Sequence, residues 1–96
     1  MLIGGCLFCI IKIFMKKYFA YIVRCGDGSL YSGYTNDIGR REEVHNEGKG
    51  ARYTAARRPV KMVYFEEFVN RSEAMKREYE FKKLSKLQKE GLVLGG

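Results

Sequence analysis

Five side chains capable of chemistry stand where the surrounding pattern calls for core. Between Ile38 and Val44, the large apolar anchors of one predicted helix, Arg41 and His45 fall four residues apart on the same face. A guanidinium is a planar fork of donors that matches a phosphate, and an imidazole exchanges protons near neutrality. Turning both inward is costly unless each finds a partner; the alternative is a solvated rim. Glu78 poses the same choice. It lies four residues after Ala74, three after Met75 and three before Phe81, yet Lys82 follows in the favourable order for a surface ion pair. Tyr21 and Tyr31 complete the set. A phenol needs assistance to act as a base, and strand tyrosines also serve simply as core.

The elements that must position these residues are legible between Tyr18 and Gln88. Tyr18–Cys25 is rich in aromatic and β-branched residues and reads as a strand. Gly26-Asp27-Gly28 is a turn, and Ser29–Tyr34 reads as the returning strand. If Cys25 and Ser29 close that turn, Tyr21, Val23, Tyr31 and Gly33 share one face, with Gly33 opposite Tyr21. A glycine inside a strand often marks the close approach of another group. Thr35, Asn36 and Asp37 offer caps for a helix over roughly 37–47, which Gly48 closes. Residues 48–59 form a basic, Gly- and Ala-rich connection without an acid. Val60–Phe68 reads as a third strand, and Arg71–Gln88 as a second helix opened by Ser72. The expected fold is α/β of the α+β kind: a three-stranded antiparallel or mixed sheet, the amino-terminal hairpin plus a later strand, flanked by helices.

Composition bounds the function. Ninety-six residues, 46% of them apolar and 30% charged, make one domain with a modest core. Seven Tyr and six Phe exclude a disordered tail. Eighteen Lys and Arg against eleven Asp and Glu leave a net charge of +7, which attracts phosphate or an anionic surface. Three cysteines, Cys6, Cys9 and Cys25, are too few for a disulfide framework, and Cys6–Cys9 has no second pair to complete a zinc site. A reducing, cytoplasmic setting is expected. Residues 2–15 are almost wholly apolar but too short for a span, and their charge polarity is wrong for a signal peptide. The first 14 residues read as a misread upstream extension ahead of a natural start at Met15, with a weak interfacial anchor as the alternative. The domain is therefore expected over residues 16–96, with no stable membrane association.

Taken in order, the sequence reads Phe19-Ala20-Tyr21, Tyr31-Ser32-Gly33, Ile38-x-x-Arg41-x-x-x-His45 and Glu73-Ala74-x-x-x-Glu78. This register resembles the GIY-YIG nuclease superfamily, whose name-giving tripeptides lie on the first hairpin. The blocks YIVRCGDGSLYSGYT, HNEGKGARYT, RRPVK and SEAMKREYEFKKL resemble its small stand-alone branch, over about residues 18–88. The first tripeptide keeps only its tyrosine, and no Asn follows Asn70, where several family members carry one after the glutamate helix.

The resemblance implies roles position by position. Glu78 matches the metal-binding carboxylate, and Arg41 the arginine beside the scissile phosphate. Tyr31 matches the tyrosine that helps activate water, Tyr21 assists or orients, and His45 supports proton transfer. One Mg²⁺ or Mn²⁺ ion on a single carboxylate fits, since Mg²⁺ takes one or two protein carboxylates and fills its octahedron with water and phosphate. Lys49, Arg52, Arg57, Arg58 and Lys61 form the expected nucleic-acid surface, which is blind to base sequence. The lysines at 76, 82, 83, 86 and 89 read as a solvated face. The expected activity is metal-dependent hydrolysis of nucleic acid by a structure-selective DNA endonuclease linked to repair or recombination, with DNA favoured over RNA. A non-catalytic nucleic-acid-binding module is the alternative. A membrane-surface adaptor, the third reading, rests on residues 1–17 alone.

Overall fold

A computed structural model describes residues 17–95. The apolar run 2–15, with Cys6 and Cys9, and the proposed boundary at residue 16 lie outside the described residues. Alternating aromatic and β-branched side chains form β1 (Tyr18–Arg24), which pairs with β2 (Leu30–Thr35) and β3 (Lys61–Phe68). The sheet order is β2-β1-β3 and every pairing is antiparallel. The hairpin closes as expected: the Cys25 amide donates to Ser29 O at 2.8 Å, and Gly28 takes φ +86°, which a residue without Cβ adopts freely. Its register sets Tyr21 opposite Gly33 and Val23 opposite Tyr31.

The central strand sorts its side chains by parity. Ala20 and Ile22 pack with Leu30 and Phe81 on one face. Tyr21, Val23 and Cys25 pack with Val60 on the other, joined by Tyr31, Ile38 and Met62. Helix α1 (Ile38–Asn46) is tied to the start of β3 by polar side chains. Asn46 donates to Val60 O at 2.9 Å and accepts from Val60 N at 2.7 Å, and Glu42 accepts from Met62 N at 2.7 Å. Short helix α2 (Arg52–Ala55) follows, inside the stretch expected to be a plain connection. At the head of α1 the Asp37 side chain makes no cap; instead Asp37 N donates to Thr35 Oγ1 at 3.1 Å.

Helix α3 (Arg71–Lys83) begins at Asn70, not at Ser72: the Asn70 side chain accepts from Glu73 N at 2.9 Å. The single helix expected over 71–88 is two. Leu84 is extended, and Ser85 with Gln88 makes a reciprocal capping box that starts α4 (Lys86–Gly95). Arg24 holds α4 to the sheet through two parallel bonds to Glu90, both 2.7 Å. Among the described residues no helix is long and apolar enough to cross a membrane.

Candidate active site

The site grows from β1 outward. Tyr21 is 1% exposed, and its ring lies across Gly33: a Cβ there would stand 2.5 Å from the Tyr21 hydroxyl and 2.6 Å from Cζ. Nothing but glycine fits at that point. A second glycine does the same for the helix that faces the strand. A Cβ on Gly50 would overlap His45 Nδ1 and come within 2.6 Å of Cγ and Cε1. The chain after α1 therefore folds back flat over the imidazole, and His45 is fully buried. It is the buried residue of α1, which excludes the solvated-rim alternative for this side chain.

A polar ring sealed from water must have both nitrogens satisfied. Tyr21 Oη lies 2.7 Å from His45 Nε2, and Thr54 Oγ1 lies 2.8 Å from Nδ1. Thr54 donates its only hydroxyl proton to Ala51 O at 3.1 Å, so it must accept from Nδ1–H. The tautomer follows: Nδ1 carries the proton, and Nε2 accepts from the Tyr21 hydroxyl. Arg41 Nε then donates to the remaining lone pairs of Tyr21 Oη at 3.1 Å. Every link runs one way. Burial, reinforced by the Arg41 charge, lowers the His45 pKa to about 4, so the ring is neutral across the physiological range. Burial also raises the Tyr21 pKa, opposed by its bond to Arg41. Arg41 in addition reaches the Gly50 carbonyl at a long 3.4 Å.

Tyr31 is partly exposed and meets this cluster by its ring. It stands edge-on to His45 with centroids 5.7 Å apart, and stacks on Tyr53 at 5.9 Å with planes 23° apart. The Arg57 guanidinium lies over the Tyr53 ring, 3.8 Å from its centroid. Thr54, Tyr53 and Gly50 were not singled out by sequence reasoning. The signal for Gly50 was present in Gly48-Lys49-Gly50, where two glycines flank one residue directly after the helix.

Glu78 forms the ion pair that its spacing to Lys82 suggests. Its side chain is 19% exposed and bonded to Lys82 at 3.2 Å, the expected i,i+4 pair, and its charge contributes to the raised pKa of Tyr21. Among the described residues no group of three or more His, Cys, Asp or Glu could hold a metal by itself. A half-shielded carboxylate with one exchangeable lysine partner suits a hard cation that takes most of its oxygens from water and phosphate.

The basic stretch is divided by the fold. Arg57 pairs with Asp27 at 3.1 Å besides covering Tyr53, so the sequence run without acids gains one in space. Arg58 donates to Ala55 O at 2.9 Å and to Asn46 O at 3.4 Å. Lys49, Arg52 and Lys61 are exposed.

Comparison with known proteins bears on the family and the fold. The model of the GIY-YIG catalytic domain matches residues 17–90. A UPF0213 protein of Staphylococcus epidermidis is 52% identical over 82 residues, 85% of this chain and all of its own length. One from Staphylococcus saprophyticus is 54% identical over the same shares. Among solved structures, the solution NMR structure of a UPF0213 protein from Bacillus halodurans aligns with a TM-score of 0.52 at 48% identity, over 80% of this chain and 82% of that one. That of an E. faecalis protein aligns with a TM-score of 0.56 at 49% identity, over 83% and 85%.

Proposed function

Because the chain belongs to the GIY-YIG catalytic domain family, a family of nucleases, we propose that it is a metal-dependent endonuclease hydrolysing phosphodiester bonds of nucleic acid. The observation that carries this reading is the one-way hydrogen-bond chain from Arg41 through Tyr21 and His45 to Thr54. It fixes the Nε edge of a guanidinium whose Nη2 also reaches Gly50 O, and leaves Nη1 and the second Nη2 proton for the oxygens of a phosphate.

The residues divide the work by access. Arg41 binds the phosphoryl oxygens and neutralises the charge that develops on them. Tyr31, partly exposed, orients the attacking water. Tyr21 and His45, both sealed from solvent, are positioning residues that set the plane of Arg41. His45 Nε2 is already engaged by Tyr21, so Tyr31 meets the imidazole only edge-on and no proton passes directly between them. Glu78 would hold Mg²⁺ or Mn²⁺, which when bound supplies positive charge for the departing oxygen. Exposed Lys49, Arg52 and Lys61 neutralise the backbone further out, with Arg57 and Arg58 bordering them. A domain of this size reads shape and not base sequence. Branched or flapped DNA is the substrate we assign, in repair or recombination.

Labelled flap, Holliday-junction and single-stranded DNA, with matched RNA, incubated with Mg²⁺ or Mn²⁺, test this reading. Cleavage by the wild type that is lost in Tyr31→Phe, Arg41→Ala and Glu78→Gln, with binding retained, is the expected result. One observation favours a second reading, a non-catalytic binding module: no Asn follows Asn70. Tight binding with no cutting of any substrate by the wild type selects that module.

A further inference from the structure

Where β1 begins and β2 ends, the first turns of α1 and α3 come together around a cleft of about 300 Å³ lined by Tyr18, Tyr34, Thr35, Asn36, Arg41 and Arg71. Two guanidiniums and no carboxylate line it. One of them is Arg41, already part of the candidate active site; the other opens α3, the helix that carries Glu78. None of the ion pairs among the described residues includes Arg41 or Arg71. Arg71 is not needed to cap its own helix, because the Asn70 side chain does that. Its guanidinium lies over an aromatic face, the ring of Tyr18, 5.8 Å from the centroid.

Two unneutralised guanidiniums in one concavity repel each other and favour an anion between or beside them. The neighbouring groups suit a nucleotide: tyrosine rings for a sugar or base, and the Asn36 amide and Thr35 hydroxyl as hydrogen-bonding partners. We propose that this cleft is a second backbone subsite, in which Arg71 binds the phosphodiester adjacent to the one held by Arg41 on the same strand. The inference rests on the nuclease reading and makes it more specific. The strand runs from the Tyr31–Arg41 cluster across the end of the sheet to the first turn of α3.

The test is binding without turnover, measured as anisotropy of labelled single-stranded DNA in EDTA over a salt series. With an octanucleotide, Arg71→Ala weakens binding about tenfold, the scale of one charge-assisted contact. The slope of log affinity against log salt becomes shallower by about 0.7, one single-strand phosphate. With a dinucleotide, which has a single phosphodiester, the same substitution changes nothing. Lys76→Ala, which removes another exposed cation of α3, leaves both ligands unaffected. The proposal is overturned if Arg71→Ala behaves like Lys76→Ala, if it weakens the dinucleotide equally, or if the wild type does not bind the octanucleotide. Cleavage of the wild type's substrates in Mg²⁺ is scored apart. A chain that cuts without dependence on Arg71 retains the nuclease reading and loses the subsite. One that binds through Arg71 and never cuts does the opposite.

Discussion

One strand builds two unlike interiors. On its even side, Ala20 and Ile22 meet Leu30 and Phe81, four side chains without a polar atom to satisfy. On its odd side, Tyr21 leads into His45 and Thr54, polar groups buried as deeply as the aliphatics opposite. Charges on the even side stay at its margin, where Arg77 bridges Glu66 at 2.9 Å and Glu80 at 2.9 Å. The even side resists unfolding by excluding water and tolerates inexact partners. The odd side adds a set of buried polar groups to its own apolar cluster of Val23, Cys25 and Val60. Those groups are satisfied only while each donor has its acceptor, so one lost bond there costs more than that bond contributed. The Arg41–Tyr21–His45 chain of bonds lies on this second side.

Substitutions can sharpen or break this contrast. The largest effect is expected from Arg41→Ala, which lowers single-turnover cleavage by about 10³-fold or more while the loss of its bond to Tyr21 costs only about 1–3 kcal/mol of stability. Equal losses of activity and stability would erase the distinction. Phe81→Ala is its counterpart: denaturant unfolding should show a loss of about 3–5 kcal/mol, with the folded fraction keeping its rate constant.

The third prediction concerns acid. His45 titrates near 4 in the folded protein and near 6.5 when unfolded, so between these values the unfolded chain binds more protons. Stability is complete above pH 6.5, declines as pH falls, and by pH 4 has lost up to about 3 kcal/mol. In His45→Gln, the pH series of urea unfolding should lose that slope. A slope that persists would place its origin elsewhere.

Smaller effects follow from the ends of the chain of bonds. Thr54→Val strands His45 Nδ1–H and should cost about 1–3 kcal/mol in unfolding experiments; Thr54→Ser, which keeps the hydroxyl, should recover most of it. The least is expected from Lys82→Ala, less than about 1 kcal/mol because the pair is a surface one. The same change should lower the Mg²⁺ concentration for half-maximal cleavage, since it removes the competitor for Glu78.

Much of this was legible beforehand, and the reasons are local. Alternation over Tyr18–Arg24 and the Gly-Asp-Gly turn specify the hairpin and hence the Tyr21–Gly33 register. Arg41 and His45 stand out because helical spacing turns them inward among few apolar residues. The helix break at Leu84 was missed although Ser85-x-x-Gln88 spells a capping box. The apolar stripe is diffuse here because Leu84 and Leu87 drift around the helix, so periodicity marks no boundary.

The sequence alone determined which side chains could act and on which strand or helix each would lie, because periods of 2 and 3.6 residues are properties of the backbone. Tertiary structure decided what those side chains do to one another. Only the fold back at Gly50 brings Thr54 to His45 and so selects a tautomer. Only the packing of α1 on the sheet turns the Tyr21 proton to His45 and its lone pair to Arg41. Whether a hydrogen bond forms depends on distances of a few tenths of an ångström, its direction depends on which partners the fold supplies, and no local pattern encodes either.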